Sequence, residues 1–458
     1  MRMRTFISSQ KIDTILKYIL WLAILVFIVE YVATVIDARV IHVIDAQGYY
    51  RFSLVPFFTS DFWFGMRPVG YPLFIKLLHS NPNLVIAVQT LFHIFTWSFF
   101  AIYIFDRANN KLIGLLSSIG LLFIALQPNV AAWSHHVLTE SLTFNFIPWI
   151  YMSLYEFLIS KNKKYLYYLL GILVYYSTLR DVNAYYVLSF VLIFGILFWY
   201  KYINRLNFFI ATIILIASFA FSDYTANHSR NTISGKELTF VSNGKRIANR
   251  WVFPFMNIMG RIVLNNPDML EYMKKEGMPV DDALLKQKNK WGGEGWYDKP
   301  ELQKFRDWLV KSGKQTYMKY LITHPKYTFG SIYKYRHHVF HYNMVEQKWH
   351  YQNYLPGYQA DNIFKYSQIP NLIIYKVLII LLLIILLYSI FSRKNIINKV
   401  TLPIFALIIP IILLSVITFH GDGVDLFRHT IIIPFLVKVT AIMLIYVLGN
   451  ELLNKKEL

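Results

Sequence analysis

Residues 14–36 read TILKYILWLAILVFIVEYVATVI, an apolar run long enough to cross the ~30 Å hydrocarbon core of a membrane as one helix. Arg2, Arg4 and Lys11 precede this run, and basic residues mark the cytoplasmic ends of spans. The N-terminus is therefore predicted to be cytoplasmic. The loop 37–82 then lies on the outer side of the membrane, and later segments alternate from that starting point.

The composition of the whole chain is also that of a membrane protein. The 458 residues are 56% hydrophobic and only 16% charged, and the mean hydropathy is +0.40. The net charge of +20 falls largely in short loops between apolar runs, so the lipid bilayer and phosphate-bearing molecules are predicted partners, and nucleic acid is not. The absence of cysteine excludes disulfides, thiolate metal sites and a cysteine nucleophile.

The apolar runs predict an all-α polytopic membrane protein with about ten transmembrane helices and both termini cytoplasmic. The runs lie at about 14–36, 84–105, 112–126, 141–159, 165–179, 184–200, 208–221, 372–391, 402–419 and 430–448. This pattern divides the chain into an N-terminal transmembrane module (1–221), an extracytoplasmic domain (222–370) and C-terminal transmembrane helices (371–458). Helix-start signals at Asn266-Pro267-Asp268 and Asp281-Asp282 predict that the middle segment is mostly helical.

Ionisable residues gather at the outer ends of the predicted spans, although such groups are costly at membrane depth and are usually functional or paired. They are Asp45, Arg67, His135, His136, Glu140, Arg180, Asp181, Arg428 and His429. The first outer loop contains an acid that could remove a proton, a cation that could hold phosphate, and a stiff Pro-Val-Gly-Tyr-Pro backbone that could fix their geometry. The sequence therefore predicts a site on the extracytoplasmic face of the cell membrane.

Three short motifs of this face carry a family resemblance. Asp45 follows the first span and precedes Tyr49-Tyr50, the element Arg67-Pro68-Val69-Gly70-Tyr71-Pro72 comes later in the same loop, and Glu140 opens the fourth span. The pattern resembles the GT-C superfamily of integral membrane glycosyltransferases, which includes the protein O-mannosyltransferases and the lipid A aminoarabinose transferases. The chain has Ala46-Gln47 where that family often has a second acid, so no metal or other cofactor is predicted.

The resemblance implies inverting transfer of a sugar from a polyprenyl-phosphate carrier, the donor substrate, to an extracytoplasmic acceptor. The catalytic candidates are Asp45, as the general base for the acceptor hydroxyl, and Glu140. Arg67, Arg180 and Arg428 are the candidates for the departing phosphate, since a guanidinium can grip its oxygens bidentately. The substrate-binding candidates are Tyr49, Tyr50, Arg67, Tyr71, His135, His136, Arg180, His337, Arg428 and His429.

Each assignment has a structural alternative. Asp45 could pair with Arg39 or Arg51, and Glu140 could be a first-turn acid favoured by the helix dipole. Arg180 could pair with Asp181. Arg428 could pair with Asp422 or Asp425. The adjacent pairs His135-His136 and His337-His338 point in different directions on a helix, which disfavours a metal site.

Two other classes of function fit the same topology. A transporter or flippase for a lipid-linked or anionic substrate would also place cations and acids near spans. Such a protein is expected to hold ionisable residues at mid-membrane in broken helices, whereas here they gather at the outer ends of the spans. A non-catalytic assembly subunit, whose outer domain binds a partner, is the third class.

Overall fold

The computed structural model of the chain describes residues 9–36, 44–64, 67–227, 239–242, 245–248, 252–290, 299–335, 402–421 and 431–453. Within these ranges the chain is helical apart from one short hairpin, as the predicted fold class requires. The predicted span at about 372–391 and three predicted site residues, His337, Arg428 and His429, lie outside the described residues.

The N-terminal part is a series of helices joined by short turns. In chain order they are α1 (Ser9–Ile36), α2 (Ile44–Leu54), α3 (Ser60–Trp63), α4 (Gly70–Leu77), α5 (Pro82–Arg107), α6 (Lys111–Leu126), α7 (Pro128–Ala131), a 3₁₀ turn (Ala132–His135), α8 (Glu140–Ser160), α9 (Lys163–Ser177), α10 (Asp181–Trp199) and α11 (Arg205–Asn227).

The remaining described elements begin with an antiparallel hairpin that the sequence analysis did not predict. They are β1 (Thr239–Ser242), β2 (Lys245–Ala248), α12 (Val252–Arg261), a 3₁₀ turn (Val263–Asn265), α13 (Pro267–Lys275), α14 (Asp282–Leu285), a 3₁₀ turn (Pro300–Leu302), α15 (Gln303–Trp308), a π-helical turn (Leu309–Gly313), α16 (Lys314–Thr323), α17 (Pro325–Lys334), α18 (Leu402–Gly421) and α19 (Ile432–Leu453).

Six of the described helices are long and apolar enough to cross a membrane, as in an integral membrane protein. They are α1, α5, α8, α10, α11 and α19. Helix α6 and the stretch 408–421 of α18 are apolar but shorter, and α9 has 15 residues. The count of about ten spans and the side of the membrane on which each terminus lies stay predictions.

Asparagine caps fix where several of these helices begin. The Asn81 side chain accepts hydrogen bonds from the backbone of residues 83 and 84 before α5, and Asn110 and Asn162 do the same before α6 and α9. The predicted helix starts of the middle segment are confirmed, since Asn266 caps α13 and Asp281 caps α14. Local polar signals therefore cut long apolar runs into defined helices.

The helices of the bundle are joined by close packing and by buried polar contacts. Asn145 of α8 accepts a hydrogen bond from Trp97 Nε1 of α5 at 3.1 Å and lies 2.8 Å from His93 Nδ1. A Cβ atom on Gly449 of α19 would lie 2.5 Å from Ile113 Cδ1, so α6 and α19 approach to a distance that only glycine permits there.

The middle segment has a hydrophobic core separate from that of the bundle. Its buried side chains include Met256, Met259, Met269 and Met273, packed with Phe305. It rests on the bundle through α17, where the Thr328 carbonyl lies 3.0 Å from His420 Nε2 of α18. The middle segment therefore contacts the end of the bundle at which α18 ends.

Candidate functional site

The first part of the site is formed by the loop that follows α1. Asp45 is the second residue of α2, one helical turn before Gly48 and Tyr49, and its side chain lies outside the described residues. The Arg67 guanidinium lies 5.1 Å from the centre of the Tyr49 ring, and its Nε would be 3.7 Å from a Cβ atom on Gly48. Arg67 thus lies over α2 beside Gly48 and Tyr49, held there partly by a cation–π contact.

Tyr71 connects this loop to the rest of the site. Its ring is fully buried and meets the Tyr49 ring edge to face, with 5.2 Å between the ring centres. The Tyr71 hydroxyl donates to Gln89 Oε1 of α5 at 2.7 Å. Burial, and next the neighbouring Glu140 carboxylate, raise the pKa of Tyr71 well above its usual value, so its hydroxyl stays protonated.

Gln89 extends the connection to the turn that contains the two predicted histidines. Its Nε2 donates to the carbonyl oxygens of Ser134 at 3.2 Å and His136 at 2.9 Å. One buried amide therefore holds α5, the Tyr71 loop and the 134–136 turn together. The sequence analysis missed Gln89; the signal that could have found it is a neutral amide in the middle of an apolar run.

Both histidines of this turn are buried, with 3% of His135 and 2% of His136 exposed. In the described part of the chain, His135 Nδ1 has no hydrogen-bond partner. Burial and, second, the adjacent His136 lower the pKa of His135 to about 4, so the imidazole is neutral near pH 7. No group of three potential metal ligands of the His, Cys, Asp or Glu type occurs within the described ranges.

Glu140 and Arg180 form the third part of the site. Glu140 is the first residue of α8, and Arg180 directly precedes α10 in an extended conformation. Arg180 Nη1 lies 3.4 Å from Glu140 Oε1, and their side chains are 10% and 1% exposed. Arg180 thus has Glu140 as an ion-pair partner, a contact that the sequence did not indicate. The alternative that Glu140 is favoured by the helix dipole also fits, because Glu140 is the first residue of α8.

Gly70 brings the first and third parts together. Its N–H donates to the Thr178 carbonyl at 2.8 Å, two residues before Arg180. A Cβ atom on Gly70 would lie 2.8 Å from that same oxygen, so a larger residue would push the two loops apart. The Arg-Pro-Val-Gly element is thereby fixed against the turn that carries Arg180.

The structure therefore joins most of the described candidates. The joined residues are Tyr49, Arg67, Tyr71, His135, His136, Glu140 and Arg180. Tyr50 is half-buried and packs against the bundle core, and its carbonyl accepts a hydrogen bond from Ser53 Oγ at 2.7 Å.

A second feature missed by the sequence analysis is a cation inside a span. Lys438 of α19 is 9% exposed and donates to Gln127 Oε1 at 2.6 Å. The sequence analysis placed the ionisable groups at the outer ends of the spans, and Lys438 departs from that description.

The joined side chains offer two guanidinium groups, a buried carboxylate, a neutral imidazole and a protonated phenol. Such a set can hold an anion, donate a hydrogen bond to it, and accept a proton from a neighbouring hydroxyl. No protein-family model matches the sequence, and no curated protein matches it. The chemistry of this site therefore rests on its own residues.

Proposed function

We propose that the protein is an inverting membrane glycosyltransferase that moves a sugar from a polyprenyl-phosphate carrier to an acceptor on the extracytoplasmic face. The observation that carries the proposal is the meeting of the Arg67 loop with the Glu140–Arg180 pair through Tyr71 and Gly70. Two cations and a buried acid from separate loops are thereby linked at the ends of the helices. A lipid-anchored phosphate would present its head group at that level.

In the proposed reaction, the Asp45 carboxylate takes the proton of the acceptor hydroxyl as its oxygen attacks the anomeric carbon. The bond from that carbon to the carrier phosphate oxygen breaks, and the phosphate leaves with the electron pair. Attack opposite to the leaving group inverts the anomeric configuration. Arg67 is the first candidate to stabilise the departing phosphate, because its guanidinium can grip phosphate oxygens bidentately.

Mass analysis of cell-envelope glycans, from cells with and without the protein, tests this proposal. The expected result is one glycan, lipid or protein that lacks a single sugar when the protein is absent. A change in the amount of a lipid-linked sugar without any missing glycosidic bond would contradict sugar transfer.

A transporter or flippase of lipid-linked or anionic substrates is the second candidate. Lys438 favours it, because an ionisable residue buried within a span is typical of a substrate pathway. Purified protein in liposomes separates the two: an enzyme forms a new glycosidic bond, whereas a transporter moves the unchanged lipid between leaflets.

A further inference from the structure

Lys438 is the most unusual charged residue among the described spans. It lies within the candidate span 432–450, its residue is 9% exposed, and Nζ donates to Gln127 Oε1 at 2.6 Å. A lysine ammonium has three N–H donors, so this neutral amide satisfies one of them. Burying a charge is costly unless it is paired. The other two N–H donors of the Lys438 ammonium are therefore the groups that could bind a ligand.

Other buried charges in the bundle have a partner of opposite sign. Glu140 pairs with Arg180, and Glu156 pairs with Arg107. Lys438, by contrast, has no carboxylate of the described residues within 4.0 Å of Nζ. Among the described residues, Lys438 is therefore a buried cation without a counter-charge.

The position of Lys438 is fixed by the packing of α19 on α6. Lys438 and Ile442 are one turn apart on the same face of α19, and Ile442 fits against Gly120 of α6. Gln127 follows the last residue of α6, and its backbone carbonyl accepts from the N–H groups of Val130 and Ala131. The Lys438 ammonium therefore lies close to the turn at residues 127–131, which leads to His135.

We propose that Lys438 is an anion-binding position that takes the phosphate of a lipid phosphate entering between the end of α6 and the start of α19. A compact ammonium binds phosphate as a point charge, and two of its donors remain for phosphate oxygens. The apolar side chains around it suit the tail of a lipid better than a free ion. This inference deepens the proposed function and rests on it for the identity of the lipid.

The test is a binding experiment that contains neither sugar nor acceptor. The purified full-length chain in phosphatidylcholine nanodiscs is titrated with farnesyl phosphate, with farnesol, and with inorganic phosphate. We expect the wild type to bind farnesyl phosphate at least about tenfold more tightly than farnesol. Lys438→Met removes the charge at similar length and should reduce that preference to less than twofold, with farnesol affinity unchanged.

Two further variants complete the test. Lys438→Arg should keep most of the preference. Lys111→Met is the matched control, because Lys111 donates to the carbonyl oxygens of Phe105 and Asp106 at the opposite end of α6 and should leave binding unchanged. If inorganic phosphate binds the wild type and not Lys438→Met, Lys438 is confirmed as an anion-binding position, and free phosphate is then its ligand.

A preference for farnesyl phosphate that persists in Lys438→Met would overturn the proposal, as would a wild type that does not distinguish the phosphate from the alcohol. If Lys438→Met fails to fold, the double variant Gln127→Leu/Lys438→Met removes both polar partners and takes its place. If the purified protein prefers farnesyl phosphate through Lys438 but cells show no sugar transfer, the proposed function is refuted and this inference is kept. Sugar transfer that survives Lys438→Met with an unchanged phosphate preference would refute only the inference.

Discussion

Two carboxylate–guanidinium pairs lie at opposite ends of α8 and differ in a way that separates structure from chemistry. At its end, Glu156 meets Arg107 at 2.7 Å, and the Arg107 side chain is 47% exposed. At its start, Glu140 meets Arg180 at 3.4 Å, with side chains 1% and 10% exposed. In the first pair the contact is short and the guanidinium is half-exposed, although the Glu156 carboxylate is 8% exposed. The second is buried and longer, among other polar groups that converge on it.

Glu156 has a second donor that completes its environment, since the Tyr103 hydroxyl donates to Oε1 at 2.8 Å. Around Glu140, the neighbouring groups come from separate loops and include Arg180, the Thr139 hydroxyl and the protonated Tyr71. We infer that the pair at the start of α8 is placed for an incoming anion, whereas the pair at its end joins two helices. Variants at the two pairs should therefore differ in their effects on stability and activity.

The largest effect is expected from removing the buried cation. Arg180→Ala leaves the Glu140 carboxylate buried without its partner, which typically costs about 3–5 kcal/mol of unfolding free energy. Arg107→Ala should cost less, about 1–3 kcal/mol, because the Tyr103 hydroxyl still donates to the buried Glu156 carboxylate. Denaturant titration in mixed micelles measures both variants, and the double variant Glu140→Gln/Arg180→Gln should recover much of the loss. Equal losses in the two single variants would erase the comparison.

Arg67→Ala should act on turnover and not on folding. A cation that stabilises a departing phosphate contributes about 2.7–4 kcal/mol to the barrier, so the rate of sugar transfer should fall about 100-fold or more. Arg67→Lys keeps the charge without the bidentate grip and should retain part of the activity. The measurement is the rate of glycan formation at matched expression, with Arg107→Ala as the control from the other end of α8. A rate equal to wild type in Arg67→Ala would assign the phosphate to another cation.

Gln89→Leu tests the buried connection between the loops of the site. The change leaves the Tyr71 hydroxyl and two carbonyl oxygens without a partner, at a cost of about 1–3 kcal/mol. Tyr103→Phe is the counterpart at the other pair and should cost less, about 0.5–1.5 kcal/mol, because Arg107 still satisfies Glu156. A Gln89→Leu protein as stable as wild type would mean that the loops hold their places without this amide.

A pH dependence of stability, small near pH 7, is also expected. His135 in the folded chain has a pKa of about 4, lowered by burial, against 6.5 for the unfolded residue. The folded state therefore binds fewer protons, and its stability, complete above pH 6.5, falls by up to about 1.4 kcal/mol per pH unit between 6.5 and 4. His135→Leu should reduce this slope when unfolding is followed across that range, and the other histidines are common to both proteins. An unchanged slope would show that His135 is not held neutral by burial.

The sequence predicted the long helices well because their apolar runs are local. The predicted run at about 141–159 corresponds to α8, Glu140–Ser160, and the run at about 184–200 corresponds to α10, Asp181–Trp199. The hairpin at residues 239–248 was missed, since two four-residue strands make too short an alternation to stand out.

The site was predictable only in part, because its contacts join residues far apart in the chain. Residue types at span ends indicated Arg67, Tyr71, Glu140 and Arg180, but no local pattern shows that Arg180 lies within 3.4 Å of an acid forty positions earlier in the chain. Gln89 and Lys438 lie inside apolar runs, and what each one bonds to depends on helix packing. The sequence thus indicates which groups are unusual, and the fold determines their partners.

The most direct test of sugar transfer is the Asp45→Asn variant, compared with Asp61→Asn, the same change at an acid of α3 in the same loop. Asn keeps the size of the side chain but cannot accept the acceptor proton, and loss of a general base typically lowers the rate by about 10²–10⁴-fold. The account predicts that cells with Asp45→Asn lose the sugar from their envelope glycan, while Asp61→Asn cells keep it and both proteins reach the membrane in equal amount. An intact glycan in Asp45→Asn cells would contradict the account.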